Sequence, residues 1–369
     1  MGLTAGLDAV GITAVTPFAE TRHHLEERRA AGLHGGMAFT YRNPARSTDP
    51  ARILGGARAI VVGARRYPSH RRAETPADSG HPTGAVARYA SADHYGPLRL
   101  ALGAVADRLR EDGWQARVVA DDNALVDREA AHRAGLGWYG KNTNLLLPGQ
   151  GSWFVLGSVV TDAPLPAPVE VLSDGCGTCR RCLPGCPTGA LVAPGVLDAR
   201  RCLAWLLQAP GVFPVEYRVA LGGRMYGCDD CQEVCPENLV AARGDKDGRL
   251  DPGPADQPGV DLLEVLGASD EQLLARLGRW YIPERQPRYL RRNALVALGN
   301  TADGRHPAVA QALHRALGDP DPLIRGHAVW AAARLGRRDL LTAVTDDPDP
   351  DVCRELELVA ADLTKPPGR

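Results

Sequence analysis

Long apolar runs are missing from this chain of 369 residues. None approaches the roughly 18–20 residues that cross a bilayer, so a membrane-spanning helix is excluded from the reading. The opening stretch, Met1 to Gly11, has neither the basic region nor the apolar core of a secretion signal. The expected location is the cytoplasm, with no membrane partner. A charge excess is missing too. The formal net charge is −1, so no global field recruits a polyanion. Locally the balance differs: between Arg276 and Arg292 stand six arginines and one acid, Glu284. That run reads equally as a solvated helix face or as a phosphate-binding patch. With 44% hydrophobic residues and this length, two or three domains with real cores are expected.

Cysteine is present and unevenly placed. Eight of the nine fall between Cys176 and Cys235, and Cys353 stands apart. A cytoplasmic protein of this size needs no disulfide scaffold, so the clustering points to metal.

The expected fold class is α+β, in three segments: an α/β domain over 1–168, a ferredoxin-like double-cluster domain over 169–243, and a helical HEAT-like domain over 244–369. In the first, Ala59–Gly63, Ala116–Val119 and Trp153–Val160 read as strands. Leu98–Glu111 and Asp127–Ala134 read as helices, stopped by Asp112-Gly113 and Gly135-Leu136-Gly137. Arg66–Gly84 reads as a loop, and 244–260, rich in Gly, Asp and Pro, as a linker. In the tail, Asp319-Pro320-Asp321-Pro322 recurs as Asp347-Pro348-Asp349-Pro350, 28 residues later. Asp-Pro turns before alanine-rich helices, at a period of roughly 30, suggest HEAT-like repeats that present a surface to a large partner. A plain helical cap is the other reading.

The first cysteine run is Cys176-x2-Cys179-x2-Cys182-x3-Cys186-Pro187. Three thiolates spaced by two let one tight loop wrap three corners of a cubane, and the fourth turns toward a second cluster. Zinc sites favour separated Cys-x2-Cys pairs, so the triple run argues against zinc. The second run, Cys228-x2-Cys231-x3-Cys235-Pro236, ends alike but is one thiolate short. Two [4Fe-4S] cubanes need eight, and Cys202, lying between the runs, is the economical eighth. Cys176, Cys179, Cys182 and Cys235 are thus assigned to one cluster, and Cys186, Cys202, Cys228 and Cys231 to the other. A three-iron second cluster with Cys202 spare is the alternative. A cubane pair moves electrons singly, and a simple carrier has no use for the long flanking segments.

The motifs around these cysteines resemble those of the epoxyqueuosine reductases. Gly227-Cys228-Asp229-Asp230-Cys231-Gln232-Glu233-Val234-Cys235-Pro236 is similar to the family's second cluster motif. Ala134-Gly135-Leu136-Gly137-Trp138-Tyr139-Gly140-Lys141-Asn142-Thr143 is similar to its glycine-rich segment. Gly151–Gly157, Arg88-Tyr89-Ala90, Asp93-His94-Tyr95, Met37-Ala38-Phe39 and Arg46–Pro50 add weaker matches. The likeness covers roughly residues 7–240. It departs near Cys202, where Ala204-Trp205-Leu206-Leu207 replaces the usual Ser-Tyr-Leu-Thr, and at Glu237-Asn238 in place of Trp-Asn.

The resemblance implies a 1–168 domain that binds cobalamin, cycling between cob(II)alamin and cob(I)alamin, two [4Fe-4S] clusters, a low-potential electron donor and a tRNA substrate. The implied reaction, the last step of queuosine synthesis, removes the epoxide oxygen of epoxyqueuosine at the wobble position. The implied general acid is Asp121, seven residues before Arg128, with Asp122 as its neighbour in register; the bland alternative is that the pair caps the next helix. The implied cobalamin contacts are Arg46, Tyr89, Asp121, Lys141, Asn142 and Ser152. The protein is expected to work as a monomer. Reductive dehalogenases share this cofactor set but carry an export signal. An electron-transfer scaffold would bind no corrinoid.

Overall fold

The computed structural model describes residues 1–68, 81–167, 171–244 and 259–362. The chain forms two compact units, and neither is continuous in sequence. The first comprises Met1–Arg72, Ala92–Cys202 and Asp229–Asp256; the second comprises Ala73–Ser91, Leu203–Cys228 and Gln257–Arg369.

A four-stranded sheet organises the first unit. Its strands are β1 (Ala9–Ala14), β2 (Ala59–Arg66), β3 (Ala116–Val119) and β4 (Phe154–Thr161), in the order β1-β2-β4-β3 with every pairing antiparallel. The central strands β2 and β4 are covered on both faces, which is why each reads as a nearly unbroken apolar run. Alternate residues Ile60, Val62 and Ala64 join a core with Phe18, Leu125, Leu156 and Val160. This core includes Ala130 and Ala131 of helix α2 (Asp127–Arg133). Helix α1 (Tyr95–Glu111) buries Leu98, Leu102 and Val105. Its Leu102 packs on the sheet where Gly63 pairs with Gly157. A Cβ on Gly157 would lie 2.6 Å from Leu102, so this approach requires the missing side chain.

Three short strands, Arg224–Tyr226, Thr83–Val86 and Gly259–Asp261, form the sheet of the second unit, with Thr83–Val86 in the middle. Helices α3 (Arg288–Thr301), α4 (Pro307–Leu317), α5 (Pro322–Arg334) and α6 (Pro350–Asp362) supply most of its core. The Asp-Pro repeats now have a cause. Asp321 accepts the Leu323 N–H at 2.9 Å with Pro322 at the first helical position, and Asp349 accepts the Asp351 N–H at 2.9 Å ahead of α6. Each pair is a cap followed by a residue whose missing N–H costs nothing there.

Most arginines of the 276–292 run are engaged within the fold, while Arg276 and Arg285 stay exposed. Arg292 is fully buried and donates to the carbonyls of Leu206, Leu207, Ala209 and Gly211 at 2.7–3.3 Å. Arg291 meets Asp270 at 2.6 Å, Arg276 meets Glu264 at 2.9 Å and Arg288 meets Asp321 at 3.2 Å. Arg279 donates to the carbonyls of Ala90 and Ser91. Most of the loop expected over Arg66–Gly84 and of the linker over 244–260 lies outside the described residues. No helix among the described residues is long and apolar enough to cross a membrane.

Candidate active site and cluster segment

The chain leaves β3 through Ala120 and turns sharply at Asp121, whose φ of 55° lies in the left-handed region. A non-glycine residue there carries strain, and such strain gathers at functional sites. The turn is well anchored. Asp122 accepts the Ala124 N–H at 2.8 Å, Asn123 accepts the Thr40 N–H at 3.1 Å, and the Val126 N–H donates to the Ser47 carbonyl at 3.0 Å. The carboxylate of Asp122 is thus engaged in its own turn. Helix α2 starts at Asp127 behind Val126 with no side-chain cap, so Asp121 and Asp122 do not cap it.

Asp121 belongs to a group with four residues to which the sequence assigned no role in the site: Tyr95 and Arg99 from α1, and Asp127 and Arg128 from α2. Arg99 lies over the Tyr95 ring at 5.5 Å and donates to the Ala120 carbonyl at 3.2 Å. Asp121 keeps an exposed face, yet protein packed on its other side desolvates the carboxyl and raises its pKa. Arg99 opposes that rise and Asp122 adds to it. Burial also pushes Asp127 well above the ordinary carboxylate range, helped by the charges of Asp121 and Asp122. One Asp127 carboxyl oxygen is fully buried without a hydrogen-bond partner among the described residues. The Tyr95 phenol is held protonated by burial and by the charges of Asp121 and Asp127. The sequence offered one hint, an acid at the first position of a helix six residues after another acid.

The Gly140–Asn144 turn joins the acid loop to the cysteine segment. At one end Arg128 donates to the Thr143 carbonyl at 3.0 Å, and Thr143 itself has φ 67°. At the other, Lys141 Nζ donates to the carbonyls of Gly177 and Cys179 at 2.5 and 2.9 Å. Asn142, buried, donates to the Cys231 carbonyl at 3.3 Å. Ser152 does similar work from the next loop. Its N–H donates to Asn238 at 2.6 Å and its hydroxyl donates to Gln232 at 2.9 Å. A Cβ on Gly151 would lie 2.0 Å from the Asn238 side chain, which explains that glycine. Lys141, Asn142 and Ser152, singled out as cobalamin contacts, therefore all grip the cysteine-bearing segment.

All nine cysteines are half-buried and none is in a disulfide. Burial raises the Cys182 thiol, and its close neighbours Cys176, Cys235 and Cys179 raise it further. Cys235 is raised by burial and feels Cys176 and Cys179 in turn. These four thiols, from two separate runs, therefore face one another, as the donor set of one cubane must. No three His, Cys, Asp or Glu side chains among the described residues converge tightly enough for a single ion. A cubane holds its thiolates apart on separate corners. At Cys186 burial works against the thiolate, but N–H groups of Thr188, Ala190 and Leu191 outweigh it and lower the pKa; the Ala190 contact is 3.2 Å. Cys202 ends the short turn Ala199–Arg201. Cys228 falls in the second unit, where it packs on that unit's core, and its place in the ligand set rests on its spacing from Cys231.

Arg46 is exposed on Pro44–Ser47, the segment that receives Val126, and its guanidinium has no partner among the described residues. Tyr89 belongs to the second unit, where its hydroxyl accepts from Gln208 at 3.0 Å.

Comparison with known proteins agrees with these features. Residues 175–238 match the 4Fe-4S double cluster binding domain, and residues 281–360 match HEAT repeats. The chain is similar to the epoxyqueuosine reductase of Bacillus subtilis (strain 168), 32% identical over 376 residues that cover 98% of this chain and 95% of that protein. It is also similar to the Pseudomonas aeruginosa enzyme of that name, 35% identical over 348 residues covering 91% of this chain and 92% of that one. A solved epoxyqueuosine reductase carrying an epoxyqueuosine-modified tRNA-Tyr stem loop superposes with a TM-score of 0.87 at 30% identity, covering 99% of this chain and 97% of that one. A Bacillus subtilis structure with its catalytic aspartate loop swung out of the active site gives 0.86 at 30% identity, covering 98% and 96%.

Proposed function

Because the chain belongs to the epoxyqueuosine reductase family of oxidoreductases, we propose that it reduces epoxyqueuosine in tRNA to queuosine with cobalamin and two [4Fe-4S] clusters. Removing the epoxide oxygen as water takes two electrons and two protons and leaves a carbon–carbon double bond. Cobalamin, when bound in its cobalt(I) state, supplies the nucleophile for carbon–oxygen cleavage. The remaining work belongs to the chain. Thiolates of Cys176, Cys179, Cys182 and Cys235 hold one cluster, and those of Cys186, Cys202, Cys228 and Cys231 the other. The clusters so held would supply single electrons taken from a low-potential donor.

Asp121 is the general acid. As the carbon–oxygen bond opens, negative charge grows on oxygen, and a carboxyl whose pKa is raised toward the working pH transfers its proton there. Asp121 suits this better than Asp122, whose carboxylate is engaged by the Ala124 N–H. Arg46 offers an unpartnered guanidinium to the polar periphery of cobalamin. Lys141, Asn142 and Ser152 hold the wall of its site by fixing the loop against the cluster segment, and Tyr89 enters on its sequence motif.

One observation carries this reading. A single turn, Gly140–Asn144, is bonded at one end to Arg128, which acts on Asp127 next to Asp121, and at the other to the peptide around Cys179 and Cys231. Proton donor and electron source are built against the same loop. The test is anaerobic. Cluster-loaded protein is mixed with cobalamin, freed of excess by gel filtration, reduced, and given an epoxyqueuosine-bearing anticodon stem loop. Co-eluting corrin absorption and formation of queuosine are expected. Loaded clusters without retained corrinoid would remove cobalamin from the scheme, and retained corrinoid without deoxygenation would remove the substrate.

A further inference from the structure

Lys141 is half-buried, and its ammonium donates to two backbone carbonyls, those of Gly177 and Cys179. Its own carbonyl is pinned by the Gly195 N–H at 2.9 Å, so the residue is held from both ends. No carboxylate pairs with it among the described residues. A full positive charge is therefore fixed against the peptide between Cys176 and Cys182, with no counter-ion from the protein. Its carbonyl partners lie within the three-thiolate run.

A cubane ligated by four thiolates is anionic, and accepting an electron makes it more so. That growing charge is the counter-ion Lys141 lacks. We propose that the Lys141 ammonium sets the reduction potential of the cluster held by Cys176, Cys179, Cys182 and Cys235, raising it so that an electron entering the pair settles there. The proposal rests on the double-cluster reading. Its physics is general: cluster potentials follow local charge, hydrogen bonding and exposure, and a charge in a partly buried place is weakly screened. The step is a one-electron reduction of the cluster by the low-potential donor, with no bond made or broken.

The experiment is a redox titration followed by electron paramagnetic resonance on full-length, cluster-loaded protein, without tRNA or cobalamin. The signal of this cluster is identified by its loss in Cys179→Ser. Lys141→Gln keeps an N–H donor for the carbonyls but drops the charge; Lys141→Arg keeps the charge. In Lys141→Gln the one-electron equilibrium of this cluster is expected to become about tenfold less favourable, a fall of about 59 mV. The other cluster should stay put and Lys141→Arg should restore the wild-type value. An unchanged potential in Lys141→Gln overturns the proposal. So does loss of this cluster's iron from Lys141→Gln while Lys141→Arg retains it, since Lys141 would then be a latch. Wild-type protein that binds fewer than eight irons indicts the double-cluster reading instead, and the iron assay reports this before any titration.

Discussion

In the second unit, Arg218 and Glu355 are both buried and close on each other through two bonds of 2.8 and 2.6 Å, while Arg292 reaches four backbone carbonyls. In the first, a carboxyl oxygen of Asp127, the indole N–H of Trp138 and the hydroxyl of Ser158 are buried with no hydrogen-bond partner among the described residues. Both kinds of burial cost desolvation. For these charged groups of the second unit that cost is offset locally, and the product is a stiff scaffold for stacked helices, although Arg288 Nε and His306 Nδ1 stay without a partner among the described residues. In the first, at Asp127 beside Asp121, it is left standing and raises the carboxyl's proton affinity. An open valence within a cluster of acids, as at Asp127, is what a region kept for chemistry at the expense of stability shows.

The contrast can be broken most severely at the acid itself. Asp121→Asn should lower the single-turnover rate of deoxygenation by about 10²–10⁴-fold, the usual worth of a positioned general acid, with cluster absorption intact. A rate within a few fold of wild type would shift the role elsewhere in the loop.

In the scaffold, Glu355→Ala leaves Arg218 buried and unpaired, and urea denaturation should register a loss of about 3–5 kcal/mol. Replacing both partners together, Arg218→Met with Glu355→Leu, should recover most of it. If the double variant is no better than the single one, the two residues do not act as a pair.

The pH profile sharpens the contrast further. Asp121 must be protonated to act, so the rate should be flat below its raised pKa and fall as pH climbs through it. Asp122→Asn removes a charge that raises this pKa and should slide the falling limb to lower pH. Arg99→Met removes one that depresses it and should slide the limb upward. Limbs that move together, or not at all, would detach the profile from Asp121.

The smallest effect concerns stability. The folded-state pKa of Asp127 is raised, so ionisation is harder in the folded chain than in the unfolded one. Stability from this group is whole below the unfolded value of about 3.9 and is lost as pH rises toward the folded one. Asp127→Asn should therefore match wild type in acid and gain on it progressively through that window, as read by thermal denaturation at stepped pH.

Much of this was legible in the sequence because the signals were local. The strand Ala116–Val119 stands where its valines put it, and Asp127 opens a helix that ends before Gly135. The cysteine spacing foretold a double-cluster segment, and the Asp-Pro turns foretold the HEAT-like helices. What escaped depends on side chains meeting across long stretches of chain. Tyr95 and Arg99 lie more than twenty residues before Asp121, and no periodicity announces their convergence. The arginines of 276–292 formed an even choice between surface and phosphate patch. Arg292 took neither course, because the carbonyls around 206–211 needed a buried donor that composition cannot reveal. Lys141 was picked out by its motif, but that it grips Gly177 and Cys179 follows from the turn's geometry.

The strand Thr83–Val86 has a consequence for synthesis. Its two neighbours in the sheet are Arg224–Tyr226 and Gly259–Asp261. A ribosome adding about 5–20 residues per second delivers the nearer partner roughly seven to thirty seconds after the strand emerges. Until then both of its hydrogen-bonding edges stand open, an invitation to pairing with other chains. Slow translation or crowded expression should therefore favour aggregates seeded by this segment, and a holdase that shelters nascent chain should raise the yield of soluble protein.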